Sequence, residues 1–353
     1  MICIAFRGMG VKIGLGLFTG QVPPGSGRTF AEEYRTILEL SREAEVLGFD
    51  SIWVSEHHGS SDGYLPSLLP MLAAIAAVTE RVQLGTGVVL APMHDPLRLA
   101  EDAAVVDNLS DGRLILGLAR GWREEEFRMF GLPEGQRLSR TLEPIEILRK
   151  AWTGERFSFE GKVHRYEDVQ VTPVPAREGG PPIYLGGFDE KTIRRAGRVA
   201  DGYIRSRSGL EESKEALRWA QEGAREAGRD PEGLGFALLQ NAFVARDPEA
   251  AWAKVRDGVN HQIGVYAAWR AGADTPGRGL DVPDVDDATL KGLTIHGTPE
   301  EVVAGLEPIA GAFADRAEFH LIVRLYYPGM DDDTARDAVQ LFGTEVLPAL
   351  KGE

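Results

Sequence analysis

The sequence predicts an α/β fold, a (β/α)8 TIM barrel with two insertions, and three observations carry the prediction. Val82 to Trp122 (VQLGTGVVLAPMHDPLRLAEDAAVVDNLSDGRLILGLARGW) reads as strand, helix and strand, and a right-handed βαβ unit means a parallel sheet. Apolar, β-rich runs alternate with capped helical periods along the whole chain, and eight such runs are found, the number a closed parallel barrel needs. Small, cationic and imidazole side chains collect at the C-terminal ends of these runs, the face on which such barrels build their sites. A doubly wound open sheet is the alternative arrangement of the same alternation.

Val11 to Thr19 (VKIGLGLFT) is the first strand, its glycines allowing close backbone approach at the open end. After the loop GQVPPGSG, Thr29 and Glu32 form a capping box for a helix whose Phe30, Tyr34, Ile37, Leu38, Ala44 and Val46 keep period up to Gly48. Asp50 to Glu56 (DSIWVSE) is the second strand and delivers His57 and His58 at its end; Pro66 to Val78 is the second helix. Val82 to Val89 is the third strand. Asp95 then caps, and Pro96 opens, a helix with the apolar stripe Leu97, Leu99, Ala100, Ala103, Ala104, Val106 and Leu109.

Arg113 to Ala119 is the fourth strand, EEEFRMFG a short helical turn, and Arg140 to Trp152 the fourth long helix. GERFSFEGKVHRYEDVQVTPVP alternates aromatic and polar residues and reads as a β-hairpin inserted after that helix. Pro181 to Gly187, Gly202 to Ser206 and Gly233 to Val244 are strands five to seven, separated by helices Lys191 to Ala200 and Leu210 to Ala227, and Asp247-Pro248 caps the next helix. Ala271 to Asp287 is rich in Gly, Asp and Pro without period, a long loop between strands seven and eight. Thr298-Pro299-Glu300-Glu301 is another capping box, Glu318 to Tyr326 the eighth strand and Asp332 to Leu350 a closing helix.

Composition narrows the function. Of 353 residues 43% are hydrophobic and 26% charged, with a net charge of -15; this supports a large core and argues against nucleic acid or an anionic membrane surface as partner, since both need clustered cations. No run of about 20 apolar residues is present to span a bilayer. The single cysteine, Cys3, leaves no intrachain disulfide or cysteine-based metal site, which suits the reducing cytoplasm. Residues 1–10 lack the basic start and long apolar core of a signal peptide and read as an extension or a start-site artefact; residues 11–353 read as one domain. The barrel then makes a sharp demand: His57, Thr86, Gly87, Arg120, Gly186, Gly187 and Ser206 should line one mouth.

The stretches LGFDSIWVSEHH, LGTGVVLAP, DPLRLAEDAAVVDNLSDGRLILGLARGW, EFRMFG, PPIYLGG, ADGYI, HGTPEEV and LFGTEVLPAL, in this order, resemble the bacterial luciferase-like monooxygenase family of flavin-dependent barrels over about Val11 to Leu350. Arg120 offers a fork of donors suited to phosphate or to an ion pair with Glu124 to Glu126; the resemblance implies a flavin phosphate contact, with Arg140 as a second cation rather than a solvated helix arginine. Gly186, Gly187, Phe188 and Asp189 join a strand to a helix start that favours an anion, yet the Asp189 carboxylate stands where relatives often carry a hydroxyl. Gly87-Val88 matches a non-proline cis peptide behind the flavin ring, against ordinary tight packing. Trp122 lies either against the flavin or in loop packing.

His57 is the candidate catalytic residue, able to exchange protons near neutral pH and open to orientation by Glu56, with a hydrogen-bonded structural histidine as the alternative and His58 fitting that better. His94, His164, His261, His296 and His320 show no ligand spacing, so no metal is assigned. No GxGxxG enters a helix, so no nicotinamide site is visible. The resemblance implies reduced FMN, supplied by a separate reductase, reacting with dioxygen to oxidise a small organic substrate through a flavin hydroperoxide. It also implies a homodimer and, with Ala119 where the luciferase itself has a cysteine-containing stretch, no light emission. Two alternatives stand beside this: hydride transfer with the deazaflavin coenzyme F420, whose enzymes more often carry Ser-Asp-His at the end of strand two, and a flavin-binding protein without turnover. The substrate is set by loops Gln21 to Arg28, Gly59 to Leu65 and Ala271 to Asp287.

Overall fold

Barrel strands face the axis on one side and helices on the other, so their residues are buried on both faces, as the near-continuous apolar runs require. The computed structural model describes residues 11–206, 208–272, 274–275 and 279–352; the N-terminal extension with Cys3 lies outside them. The strands are β1 (Val11–Phe18), β2 (Ser51–Val54), β3 (Gln83–Thr86), β4 (Val89–Leu90), β5 (Leu114–Ala119), β6 (Phe157–Glu160), β7 (Arg165–Val169), β8 (Ile183–Gly186), β9 (Gly202–Arg205), β10 (Gly235–Val244), β11 (Asp274–Thr275), β12 (Gly279–Leu280), β13 (Ile295–Gly297) and β14 (Phe319–Arg324). The helices are α1 (Phe30–Val46), α2 (Leu68–Ala76), α3 (Pro96–Leu109), α4 (Glu124–Met129), α5 (Ser139–Ala151), α6 (Glu190–Val199), α7 (Leu210–Glu226), α8 (Pro248–Arg270), α9 (Asp287–Gly292), α10 (Pro299–Ala312), α11 (Asp332–Leu341) and α12 (Leu347–Lys351).

Parallel pairing runs β14-β1-β2-β3-β5-β8-β9-β10 and returns from β10 to β14. The sheet therefore closes into the predicted TIM barrel, and the open doubly wound arrangement is excluded. The caps read from sequence form: Thr29 with Glu32 and Thr298 with Glu301 close capping boxes, and Asp95 accepts from Leu97 and Arg98. The inserted hairpin is the antiparallel pair β6 and β7. None of the described helices is long and apolar enough to cross a membrane.

Three readings change. The third predicted strand breaks after Thr86 and resumes as β4 against β5. The Ala271 to Asp287 loop contains the short ladder of β11 and β12, two residues on each side and too short to show a period, and ends at α9; β13 adds to the far end of β10, a pairing between residues distant in sequence. The closing helix widens over Phe342–Val346 before α12.

Inside the barrel, Leu17, Trp53, Ile115, Tyr184, Ile204, Ala237, Leu239 and Ile322 form one buried cluster. Trp53 occupies the axis: a Cβ on Gly85 would lie 2.1 Å from its ring and one on Gly14 2.9 Å from its Nε1. Its N–H donates to Ser51 Oγ at 2.8 Å, and Ser51 meets His320, whose Nε2 meets Glu318 at 2.8 Å. Glu318 pairs with Lys12 as well; burial alone would raise its carboxyl, but these two partners outweigh it and push the group down to about 2.

On the outer layer, Glu33 of α1 is buried beneath the segment following β14, accepting from the Tyr326 hydroxyl with Arg28 Nε at 3.4 Å. Burial raises its carboxyl from 4.5 to about 7, against the lowering pull of Tyr326 and Arg28. A carboxyl raised in the folded state stabilises fully below its unfolded value and loses that contribution as pH rises through the folded one. Unfolding measured between pH 4 and 8 should therefore show wild-type stability falling, on the order of 3 kcal/mol for such a shift, with Glu33→Gln removing most of that slope; equal slopes in both proteins would refute the assignment.

Candidate active site

The chain leaving β2 stays extended and buried through Ser55, Glu56, His57 and His58. Successive side chains of extended backbone point to opposite sides, and this corrects one expectation: Glu56 does not orient His57. It turns the other way, where its Oε1 meets His58 Nε2 at 2.8 Å and His94 Nε2 at 3.0 Å. His57 instead holds Glu126 of α4, Nδ1 to Oε1 at 2.8 Å. The same oxygen accepts the His58 backbone N–H at 3.0 Å, so it acts as an acceptor and His57 carries its proton on Nδ1. That leaves the Nε2 lone pair for chemistry.

An aromatic wall surrounds the imidazole: Tyr64 and Trp269 lie 4.8 and 4.6 Å away between ring centres, Tyr266 5.6 Å and Trp122 6.3 Å. Tyr64 donates to Ser55 Oγ at 3.1 Å and meets the Tyr266 hydroxyl at 3.0 Å; burial raises both phenols. Arg123 lies over Trp269 at 4.1 Å and donates to the His58 carbonyl at 2.9 Å, tying the wall to the loop after β2. Trp122 is part of this wall, nearly parallel to Tyr266 at 6.4 Å.

Glu56, His58 and His94 bring three ligand-type atoms within 4.8 Å of one another, a cluster that no sequence spacing announces because the fold, not a motif, assembles it. Its members satisfy one another. Burial would raise Glu56 and lower His94, yet the hydrogen bonds win: Glu56 is lowered and His94 raised, an ion-paired network.

Arg120 follows β5 with a side chain 46% exposed, and its ion partner is Asp189 at 3.9 Å, not Glu124 to Glu126. Asp189 is the N-cap of α6, accepting from Thr192 N at 2.9 Å and Thr192 Oγ at 2.8 Å; one backbone donor offered to an anion is thus already taken. Gly187 is fixed here because a Cβ would lie 2.3 Å from Thr192 Cγ2, and its carbonyl accepts from Tyr203. Phe188 projects into solvent with Arg205 at 5.8 Å, and Ser206, just past β9, is exposed.

The Gly87-Val88 peptide is cis, as the resemblance implies. The nearest atoms to a Cβ on Gly186 would be those of Ala119, Val88 and Ile204, at 3.5 to 3.6 Å, so these residues make an apolar floor over β5, β8 and β9. Thr86 does not join it: fully buried, its hydroxyl accepts from Gly117 N at 2.7 Å and donates to Gly117 O at 2.8 Å, which uses it to lock β3 to β5. Arg140 is held at the start of α5 by Gln136 at 3.2 Å, and no contact ties it to Arg120. Sequence reasoning missed Glu126, although EFRMFG begins with it, and missed Tyr64, Tyr266, Trp269 and Arg324. Only the three-residue spacing of Tyr266 and Trp269 near the end of α8 signals a shared face.

A family profile described as luciferase-like monooxygenase matches residues 12–316. The chain is 29% identical to an F420-dependent glucose-6-phosphate dehydrogenase of Amycolatopsis mediterranei, over 91% of this chain and 96% of that one. Among solved structures it is similar to the monooxygenase RslO1 of Streptomyces bottropensis, at 27% identity and TM-score 0.83, covering 96% of this chain and 99% of that one. The oxygenating constituent of 3,6-diketocamphane monooxygenase from Pseudomonas putida, in complex with FMN, shares the fold with TM-score 0.77 at 22% identity, over 97% and 99% of the two chains. With the profile spanning most of the barrel and a closed sheet that carries its mouth residues, this chain belongs to the luciferase-like monooxygenase family.

Proposed function

We propose that this protein is an oxidoreductase that seats a deazaflavin of the coenzyme F420 type at the barrel mouth and transfers hydride between it and a small alcohol or carbonyl substrate. The observation that carries the reading is the buried His57-Glu126 pair, Nδ1 to Oε1 at 2.8 Å, at the C-terminal end of β2. Hydride removal from an alcohol needs a base for the hydroxyl proton, and a histidine held in one tautomer by a carboxylate suits that role. The relatives named F420-dependent dehydrogenases support the choice of cofactor.

The residues fit a flat tricyclic ring with an anionic tail. The floor of Val88, Ala119, Gly186 and Ile204 is apolar and has no large side chain rising from Gly186, and Arg120 is an exposed guanidinium beside it. The deazaflavin, when bound, supplies the hydride acceptor. His57 Nε2 takes the substrate proton as hydride leaves the carbinol carbon. Glu126 stabilises the imidazolium so formed, and Tyr64, Trp122, Tyr266 and Trp269 exclude water from it.

The second reading is the FMN monooxygenase with a separate reductase and dioxygen, favoured by the likeness to RslO1 over nearly its whole length. A binder without turnover would have no use for a base kept in one tautomer.

Absorbance and equilibrium titrations with F420, FMN and reduced FMN decide between these. F420 should bind, and Arg120→Ala should weaken it by roughly tenfold or more, the size of a lost charge-assisted hydrogen bond. Binding of FMN alone would replace hydride transfer by the monooxygenase reading; binding of none would remove the cofactor site altogether. His57→Asn should keep cofactor affinity while turnover falls by about 10²–10⁴-fold, as for loss of a general base; unchanged turnover would dismiss His57 from the chemistry.

A further inference from the structure

Along β14 alternate side chains enter the barrel: His320 meets Ser51 near the base, Ile322 joins the axial cluster, and Arg324 comes next, at the mouth. Arg324 is 2% exposed, and its Nε and Nη1 have no hydrogen-bond partner among the described residues. No carboxylate among those residues pairs with it. Its register neighbour is Asn241 of β10, also buried, whose amide donates to Gln262 at 3.3 Å and so offers the guanidinium no charge. The positive charge of Arg324 does reach two groups, the phenols of Tyr64 and Tyr266. Those are the two hydroxyls 3.0 Å apart whose rings flank His57.

A guanidinium withdrawn from water with open donors is costly to keep, because neither hydrogen bonds nor a counter-charge repay its desolvation. Residues in such a state persist where an occupant completes them. The occupant must be anionic and accept hydrogen bonds, and a planar oxyanion matches the guanidinium fork best. The cofactor phosphate has its own cation in Arg120, at the ends of β5 and β8, whereas Arg324 stands behind the phenols that enclose the base.

We infer that Arg324 is the anchor for a substrate carboxylate, beside the paired Tyr64 and Tyr266 phenols, so that the substrate class is a small hydroxy or oxo acid whose reacting carbon lies toward His57. This deepens the hydride-transfer reading and rests on it for the identity of the reacting carbon; the anchor itself does not depend on which cofactor binds. In the oxidative direction the carbinol carbon loses hydride to the cofactor and its hydroxyl loses the proton to His57, leaving the oxo acid with its carboxylate still on Arg324.

The test uses benzoate and hexanoate against benzamide and hexanamide, read by quenching of tryptophan fluorescence from the aromatic wall, in wild type, Arg324→Gln and Arg324→Lys, with F420 and FMN titrated in parallel. Wild type should prefer each carboxylate over its amide by at least about tenfold, as for a charge-assisted pair. Arg324→Gln should abolish the preference without changing cofactor affinity, and Arg324→Lys should restore part of it. Arg324→Gln should also raise the Tm of the ligand-free protein, since an unpaired buried charge is removed. Equal binding of acid and amide to wild type, a fall in Tm, or a loss of cofactor affinity in Arg324→Gln each overturns the assignment: the first leaves only solvent on the guanidinium, the second makes it structural, the third gives it to the cofactor. Carboxylate preference in a protein that binds neither cofactor would leave the anchor standing and defeat the proposed function instead.

Discussion

The indole of Trp53 on the barrel axis is the constraint on which the rest depends. It is fully buried, and the strands around it close only because Gly14 and Gly85 carry no Cβ where its atoms already lie, and Gly16 none against the Trp53 carbonyl and Cβ. Its polar edge is led down through Ser51 and His320 to Glu318 and Lys12, so the axis holds no orphan donor there. Above it the next layer must be thin. Leu17 and Ile204 meet across the axis against Gly87, where a Cβ would come within 2.6 Å of Leu17, and the floor of Val88, Ala119 and Gly186 follows from that. The layer of Val88, Ala119 and Gly186 proposed as the cofactor seat is thus a consequence of how the barrel is filled beneath it.

The second determinant is the extended run after β2. Two networks lie on its two sides: Glu56 with His58 and His94, and His57 with Glu126. The first joins the loop after β2 to the one after β4, and Glu56 also accepts from the Leu90 backbone N–H at 3.3 Å. Fixing that side fixes the other, since His58 cannot turn without moving its own N–H, which holds the Glu126 oxygen bound to His57. The tautomer of His57, the proposed base, therefore depends on residues that face away from it, a support of the kind that keeps site geometry within tolerance.

What the sequence made legible was what local chemistry determines. Capping boxes at Thr29 and Thr298 and the Asp95-Pro96 start are short-range signals, and each formed as read. The order of barrel strands followed from alternation and handedness. What escaped was set by distance along the chain: Glu126 lies 69 residues from His57, and Tyr266 202 from Tyr64. Glu56 was assigned to its neighbour His57 because adjacency in sequence suggests contact, but pleating forbids it. Thr86 was read as part of the mouth for its position at a strand end, whereas its hydroxyl is spent across Gly117. Arg324 was passed over inside a run read only as the eighth strand; the period that turns it inward was visible, and the missing partners were not.

Asp189 looks at first like an obstacle to an anionic cofactor, and its geometry says otherwise. Its carboxylate is engaged as the cap of α6 through Thr192, and the Arg120 guanidinium stands 3.9 Å off, beyond hydrogen-bond range, with the two side chains 46% and 57% exposed. Such a pair contributes under about 1 kcal/mol. A phosphate carries more charge and can accept from a guanidinium fork in bidentate fashion, so on the proposed reading a cofactor phosphate would take Arg120 from Asp189 at little loss while the cap on α6 stays intact. On that reading Asp189 would hold Arg120 over the floor before the phosphate arrives, which would reduce the side-chain freedom to be lost on binding. The carboxylate that would repel a phosphate placed against it would then be the residue that keeps the phosphate's proposed partner in position.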